Sequence, residues 1–229
     1  MDGILYGVGV GAGDPEMMTL KAVRIIRENE YVAVPGQKVE ETTAYQIAVQ
    51  AVPELAEKKL LPIFMPMTHD ASVMEKCHRE GAETLENVLR TGKNVVFLTL
   101  GDPTIYSTFS YLQTIVEKDG YKTELVSGIP SFCAAAARLN IALAEWDEPL
   151  HIVPAVHQLD EKLDLKGNYI LMKSGKKMDA VKDILRASGR DVAMVENCGL
   201  PGEKIYRSAD EIPDDAGYFS LIIAKERTE

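Results

Sequence analysis

Cysteine is scarce in this chain. Cys77, Cys133 and Cys198 stand far apart, and with only four scattered histidines they make no C-x-x-C or H-x-x-x-H spacing. That argues against a zinc site and against a disulfide framework. Long hydrophobic runs are missing as well, since no segment approaches the ~20 uninterrupted apolar residues of a membrane span. Positive charge is in short supply: 25 Lys and Arg face 35 Asp and Glu, for a formal net charge of -10. Nucleic-acid binding depends on basic side chains displacing counterions from phosphates, so this balance opposes it. The opening residues, "MDGILYGVG", carry an acid and pass straight into a strand-like run, without the basic start of a signal peptide. The expectation is a cytoplasmic protein with no metal, membrane or nucleic-acid partner, and with a small molecule or another protein as its ligand.

What is present is an alternation of β-rich apolar runs with stretches of helical period, the pattern of strands crossed over by helices in a mainly parallel sheet. Ile4 to Val10 reads as a strand and Pro15 to Asn29 as a helix with Met18, Ala22, Ile25 and Ile26 on its apolar stripe. "YVAVPG" is a second strand, "NVVFLTL" at 94 to 100 is the clearest buried one, and "TIYSTFSYLQTIVEKDG" is the helix after it. "KTELV" then restarts the pattern, which runs through "LHIVPA", "NYILMK" and "DVAMVEN" to a closing "YFSLIIAKE". The polar stretch "HQLDEKLDLKG" reads as a solvated loop or exposed helix. At 229 residues the chain suits one large domain or two small ones. Two α/β domains are expected, residues 1-119 and 120-229.

Gly7, Gly9 and Ala12 fit G-x-G-x-x-[GA] after a strand, the fingerprint of a dinucleotide fold in which a helix N-terminus faces a pyrophosphate. Two companion features are missing. The helix opens only after Asp14-Pro15, not within the glycine run, and the second strand ends in Pro35-Gly36 where an acid should hold the ribose. An ionised Asp14 would also repel a diphosphate. Asp is a favoured N-cap and Pro is tolerated at the first helical position, so these two residues have a structural explanation of their own. The Gly-Asp-Pro triplet recurs, however, at Gly101-Asp102-Pro103, again after an apolar strand, and "SGIPSF" adds a third glycine turn. Ligands of parallel sheets bind beyond the strands' carboxyl ends. Turns that present glycine backbone and carboxylates there suit a ligand with a positive centre and a carboxylate.

Five blocks in order, "GVGVGAGDPEMMTLKAV", "LTLGDPTIYSTFSYL", "SGIPSFCAAAARLNIAL", "YILMK" and "VENCGLPGEKIYR", resemble the tetrapyrrole methylases of cobalamin and sirohaem biosynthesis, and the match covers essentially the whole chain. "GDPTIYST" and the "VPG" after the second strand look most like the precorrin-2 or cobalt-factor II C-20 methyltransferases within that family. The resemblance implies a two-domain α/β methyltransferase, a homodimer, with S-adenosylmethionine in a cleft between the domains and a trough for the macrocycle beside it. By matching motif, Ala12, Leu100, Gly101, Asp102 and Ile105 would line the cofactor site, and Pro130, Ser131, Phe132, Met172 and Cys198 would complete it. Pro130-Ser131 stands where relatives have Thr-Ala, and Cys198 where glycine is common, so contacts there would run through the main chain. Tyr106 and Ser107, beside Asp102, would lie near the transferred methyl group. Ile105 and Met172 would serve equally as core, and Cys77 and His78 read as helix residues without chemistry.

A sulfonium donor is already activated, so methyl transfer needs alignment more than a nucleophile, which agrees with the absence of Ser-His-Asp and Cys-His signatures. A carboxylate-rich macrocycle calls for a basic patch on an acidic protein, drawn from Arg24, Lys38, Lys173, Lys176, Lys177, Lys204 and Arg207. Neutralising Lys176 with Lys177 is expected to weaken tetrapyrrole binding more than cofactor binding. The competing readings are another tetrapyrrole methylase step, a dinucleotide-dependent oxidoreductase built on the G-x-G-x-x-A turn, and a noncatalytic tetrapyrrole carrier.

Overall fold

A computed structural model describes residues 1–66, 68, 70–154, 163, 165–174 and 178–227. The chain forms two compact units, Met1–Pro130 and Ser131–Glu229. The expected break after residue 119 moves past Pro130 because β5 (Lys122–Val126) pairs with β1 (Ile4–Gly9), Leu5 standing opposite Thr123, and so belongs to the first sheet.

In the first unit the sheet order is β3-β2-β4-β1-β5, with β2 spanning Tyr31–Pro35, β3 Lys59–Ile63 and β4 Val95–Thr99, and every pairing is parallel. A parallel pair needs a crossover, and four helices supply one each: α1 (Leu20–Glu28), α2 (Thr43–Ala51), α3 (Ala71–Leu89) and α4 (Phe109–Lys118). The run "VVFLT" is buried at every position, as a strand covered on both faces must be. The first three of these helices start at a cap whose side chain satisfies an early amide. Thr19 Oγ1 accepts from Ala22 N at 3.1 Å, and Asp70 Oδ1 accepts from Ser72 N at 2.9 Å. The expected helix from Pro15 therefore breaks in two: Pro15–Met17 is one 3-10 turn, and α1 restarts at the Thr19 cap. The expected helix from Thr104 likewise starts only at Phe109.

The second unit holds a sheet of order β6-β7-β10-β8-β9, from Leu150–Pro154, Asn168–Met172, Asp191–Glu196, Lys204–Tyr206 and Ser220–Lys225 for β6 to β10 in chain order. Only β6 and β7 pair in parallel; β10 runs antiparallel to β7 and β8, and β8 antiparallel to β9. The expectation of a mainly parallel sheet fails here for a physical reason. The link from β8 to β9 is short and contains no helix, so β9 folds back on its neighbour; the longer helix-free link after β9 carries the chain past β8, and β10, running the same way as β9, enters between β7 and β8 antiparallel to both. Among the described residues two helices, α5 (Ser131–Leu139) and α6 (Met178–Ala187), belong to the unit. Tyr169, Leu171, Met178, Leu185, Met194 and Ile222 fill its core. Among the described residues no helix is long and apolar enough to cross a membrane.

Candidate functional site

The chain leaves β1, β4 and β5 at neighbouring points on the C-terminal rim of the parallel sheet, because these strands are adjacent in the order β4-β1-β5. Val10 N continues the ladder to Thr99 O at 2.9 Å. Beyond it Gly11 and Gly101 exchange bonds, Gly101 N donating to Gly11 O at 2.8 Å and Gly11 N to Gly101 O at 3.3 Å. Gly128 closes the group from the third turn. A Cβ built on Gly128 would sit 2.1 Å from Gly101 O, and one on Gly9 2.4 Å from the same oxygen. Three backbones meet at a spacing that no side chain permits.

Asp102 holds this corner together. Its Oδ1 accepts from Thr104 N at 2.8 Å and from the Thr104 hydroxyl at 2.5 Å, and its Oδ2 accepts from Gly128 N at 3.1 Å. The residue is only 7% exposed. Burial alone would push its carboxyl up. Hydrogen bonds from the Thr104 hydroxyl and N–H, the Gly128 N–H and the Ser127 side chain outweigh burial and hold it below the ordinary value. Asp102 is therefore a carboxylate at neutral pH. Asp14 makes the same local turn, Oδ1 accepting from Glu16 N at 2.8 Å, but it is half-buried and serves as the cap of the 3-10 turn. The two acidic corners are neighbours on one rim and both give a glycine to the contact, yet it is the carboxylate of the second that bonds across it.

The segment between Asp102 and α4 is irregular. Tyr106 has φ of 50°, a left-handed conformation uncommon for an aromatic residue, and its side chain is 47% exposed. Ser107 Oγ lies 2.9 Å from the hydroxyl of buried Thr99 and accepts from Phe109 N at 3.2 Å. Tyr106 and Ser107, expected as helix residues, thus belong to the turn preceding α4. The structure brings Leu100, Gly101, Asp102, Ile105, Tyr106 and Ser107 into one turn and sets Ala12 beside it through the Gly11–Gly101 bridge.

The dinucleotide fingerprint dissolves in this geometry. Gly7 lies inside β1 under the Phe109 ring, where a Cβ would come within 2.3 Å of Phe109 Cε1. It makes room for packing and takes no part in a phosphate loop. The first α-helix opens at Leu20, well past the glycines, so its N-terminus does not face them as a pyrophosphate site requires.

In the second unit Met172 ends β7, half-buried, opposite Leu221 of β10. Leu221 in turn faces Val195 of β8, so the C-terminal ends of β7 and β8 share one edge of the sheet. Cys198 follows β8 in a turn where Asn197 and Gly199 take φ of 52° and 69°. Burial first, then Glu203, pushes the Cys198 thiol up to about 11, while Arg138 pulls it down. It is protonated at neutral pH and is no nucleophile. Glu203 ties this turn to α5, accepting from Gly199 N at 2.8 Å and pairing with Arg138. Ser131 opens α5 and Phe132 is buried within it; Pro130 is the last residue of the first unit.

Thr99 and Thr104 are rim residues that the motifs do not mark, and Gly9 and Gly128, marked only as turn glycines, prove to be points of contact between turns. Thr104 had a local signal, because an Asp commonly bonds the backbone two residues on. Thr99 had none, since its partner is a side chain in the next turn. Of the basic candidates, Arg24 pairs with Glu28 at 2.9 Å and Lys38 with Glu41 at 2.8 Å. Lys204 and Arg207 are exposed, Lys173 has φ of 61°, and Lys176 and Lys177 lie outside the described residues. Among the described residues no group of three or more His, Cys, Asp or Glu could hold a metal ion.

The profile of the Tetrapyrrole (Corrin/Porphyrin) Methylases matches residues 4–212. The chain is 35% identical over 225 residues to a Methanocaldococcus jannaschii protein named "Probable cobalt-precorrin-2 C(20)-methyltransferase", covering 96% of this chain and 95% of that one. It is 29% identical over 237 residues to the cobalt-precorrin-2 C(20)-methyltransferase of Salmonella typhimurium, covering 100% and 99%. In fold it matches the uroporphyrin-III C-methyl transferase of Thermus thermophilus, solved as a complex with S-adenosylhomocysteine, with a TM-score of 0.73 at 19% identity over 98% of each chain.

Proposed function

The chain belongs to the tetrapyrrole (corrin/porphyrin) methylases, and from that premise we propose that it is an S-adenosylmethionine-dependent methyltransferase acting on the C-20 meso carbon of precorrin-2 or cobalt-factor II in cobalamin biosynthesis. The observation that carries this reading is the three-glycine corner closed by an ionised Asp102. It draws the three turns together at one point of the rim and fixes a negative charge there, which fits a sulfonium and repels a diphosphate. When bound, S-adenosylmethionine supplies the methyl group as an electrophile on a positively charged sulfur.

The chain's own residues supply placement. By matching motif, Ala12, Leu100, Gly101, Asp102 and Ile105 would hold the donor, and Pro130, Ser131, Phe132, Met172 and Cys198 are the other residues the family's motifs assign to it. Asp102 favours the positive charge without taking a proton, since its lone pairs are occupied by Thr104 and Gly128. Tyr106, raised on a left-handed backbone, and Ser107, fixed by Thr99, flank the acceptor carbon. In the transfer the meso carbon bonds to the methyl carbon, the old carbon–sulfur pair remains on sulfur, and the meso proton leaves to a base. Cobalt, where present, is part of the macrocycle. The enzyme works as a cytoplasmic homodimer, a state that sedimentation would read directly.

The test has two arms. In a thermal-shift titration S-adenosylhomocysteine should stabilise the protein as RT ln(1 + [L]/Kd) while NAD(P)H should not; the reverse would replace this reading with an oxidoreductase. Anaerobic incubation with S-adenosylmethionine and either precorrin-2 or cobalt-factor II should add one methyl mass to the preferred macrocycle. Cofactor binding without any methylated tetrapyrrole would favour a carrier.

A further inference from the structure

The same rim carries a second depression, one strand position beyond the glycine corner. It opens at the ends of β2 and β3, has a volume of about 420 Å³, and is floored by Phe64 and Met65 after β3. Gln37, Lys38 and Glu41 form its other wall, after β2. Phe64 is 48% exposed there, just beyond the end of edge strand β3. The backbone beneath is firm: Gly36 N donates to Ile63 O at 2.8 Å, and Thr42, the cap of α2, donates to Val39 O at 2.7 Å.

Distance along the rim gives this depression its meaning. In the order β3-β2-β4-β1, β2 is next to β4 and β3 one further on. At ~4.8 Å between strands, the depression lies about 5 to 10 Å from the turn holding Asp102. A macrocycle of four pyrrole rings whose reacting carbon sits at that turn is wide enough to extend over it. We infer that Phe64, Met65 and Lys38 form a subsite for the far edge of the tetrapyrrole, its ring edge on Phe64 and Met65 and one peripheral carboxylate on Lys38. The inference rests on the proposed function for the identity of the acceptor.

Lys38 and Glu41 are the two charged side chains of the lining, so a substrate carboxylate gains there by taking the ammonium from Glu41. Lys38 Nζ is held by Glu41 at 2.8 Å, with the two side chains 72% and 70% exposed. An exposed pair of this kind contributes little and exchanges readily. A substrate carboxylate entering over an apolar floor, where water is partly displaced, competes well for the same ammonium. Glu41 then acts as an internal competitor that sets affinity, and Lys38 and Phe64 as specificity-determining residues without part in the chemistry.

The experiment uses the full chain with cobalt-factor II under anaerobic conditions. It measures steady-state methylation together with calorimetric binding of the macrocycle to the enzyme saturated with S-adenosylhomocysteine. Lys38→Met and Phe64→Ala should each raise KM and the macrocycle Kd about five- to tenfold with kcat nearly unchanged. Glu41→Gln, which frees the ammonium, should lower both by about threefold, a gain that mere structural damage cannot produce. S-adenosylhomocysteine affinity and the melting temperature should not move in any of the three. Methylation by the wild type with KM and Kd indifferent to all three changes would overturn the subsite and leave the proposed function standing. Macrocycle binding that follows the three changes without methylation would uphold the subsite and remove the C-20 activity. Absence of both binding and methylation would overturn both.

Discussion

The two Gly-Asp-Pro corners of this protein share a sequence and a local turn, and they do different work. In each, the Asp accepts from the amide two residues on, at 2.8 Å from Glu16 N and 2.8 Å from Thr104 N. At the first corner the bonding stops there: Asp14 is half-buried and caps a single 3-10 turn. At the second, the other carboxylate oxygen reaches across the rim to Gly128 N, and the residue is buried. What separates them is the reach of the side chain. The order β4-β1-β5 sets the turn after β1 between the other two, yet it is Asp102, from the turn after β4, whose second oxygen meets the amide of the turn leading out of β5; among the described residues Asp14 shows its local turn bond alone. A motif repeated in sequence therefore predicts a repeated shape, while the part each copy plays depends on which distant groups its carboxylate meets.

The largest effect should come from crowding the shared contact. Gly128→Ala places a methyl 2.1 Å from the Gly101 carbonyl, backbone against backbone, so one of the turns must move. The expected loss is about 3 to 5 kcal/mol in urea unfolding, with S-adenosylhomocysteine binding abolished. A variant that melts and binds as the wild type does would show that the three turns are not one site. Next comes the clamp itself. Asp102→Ala leaves Gly128 N without its buried acceptor and should cost roughly 2 to 3 kcal/mol. Asp102→Asn keeps the turn to Thr104 but sets an amide N–H2 against Gly128 N–H, and should fall between the two.

The clamp also sets a pH dependence. Because the folded value of Asp102 is depressed, its contribution to stability is complete above the ordinary carboxylate value of 3.8 and is lost as pH falls through the lower folded value. Urea midpoints measured downward from pH 5 should drop in the wild type by more than in Asp102→Asn, and the gap between the two should narrow as acid is added. Parallel curves would mean that Asp102 does not titrate as a clamped carboxylate.

How much of this could be read from the chain alone follows the same division between local and distant. The strand "VVFLT", the apolar stripe of α1, the Asp14-Pro15 cap and the parallel first sheet all rest on patterns a few residues long, and they are legible. The Asp102–Gly128 bond joins residues 26 apart and has no local signature. Tyr106 was misread because helical period runs through "TIYSTF", whereas the left-handed φ at Tyr106 and the Ser107–Thr99 contact delay α4 to Phe109. The antiparallel pairing in the second unit has a related cause: periodicity identifies strands, but their direction follows from the short helix-free link between β8 and β9 and from the entry of β10 between β7 and β8, neither of which has a local signature.

The smallest effect belongs to the first corner, and it decides whether the comparison holds. As a cap on one short turn, Asp14 should cost about 0.5 to 1 kcal/mol when replaced by Ala and a few tenths when replaced by Asn, which caps nearly as well. Its charge is a separate matter, and the two forms of the cofactor separate charge from shape. S-adenosylmethionine carries a positive sulfur and S-adenosylhomocysteine does not, so the ratio of their affinities reads the electrostatic part alone. Asp102→Asn should lower that ratio about three- to tenfold, because a buried charge is weakly screened. Asp14→Asn should leave it within about twofold, because a half-exposed carboxylate is screened by water and salt. An equal fall in both variants, measured by calorimetry at low salt, would make the corners electrostatic partners after all and would return to Asp14 a part in holding the sulfonium.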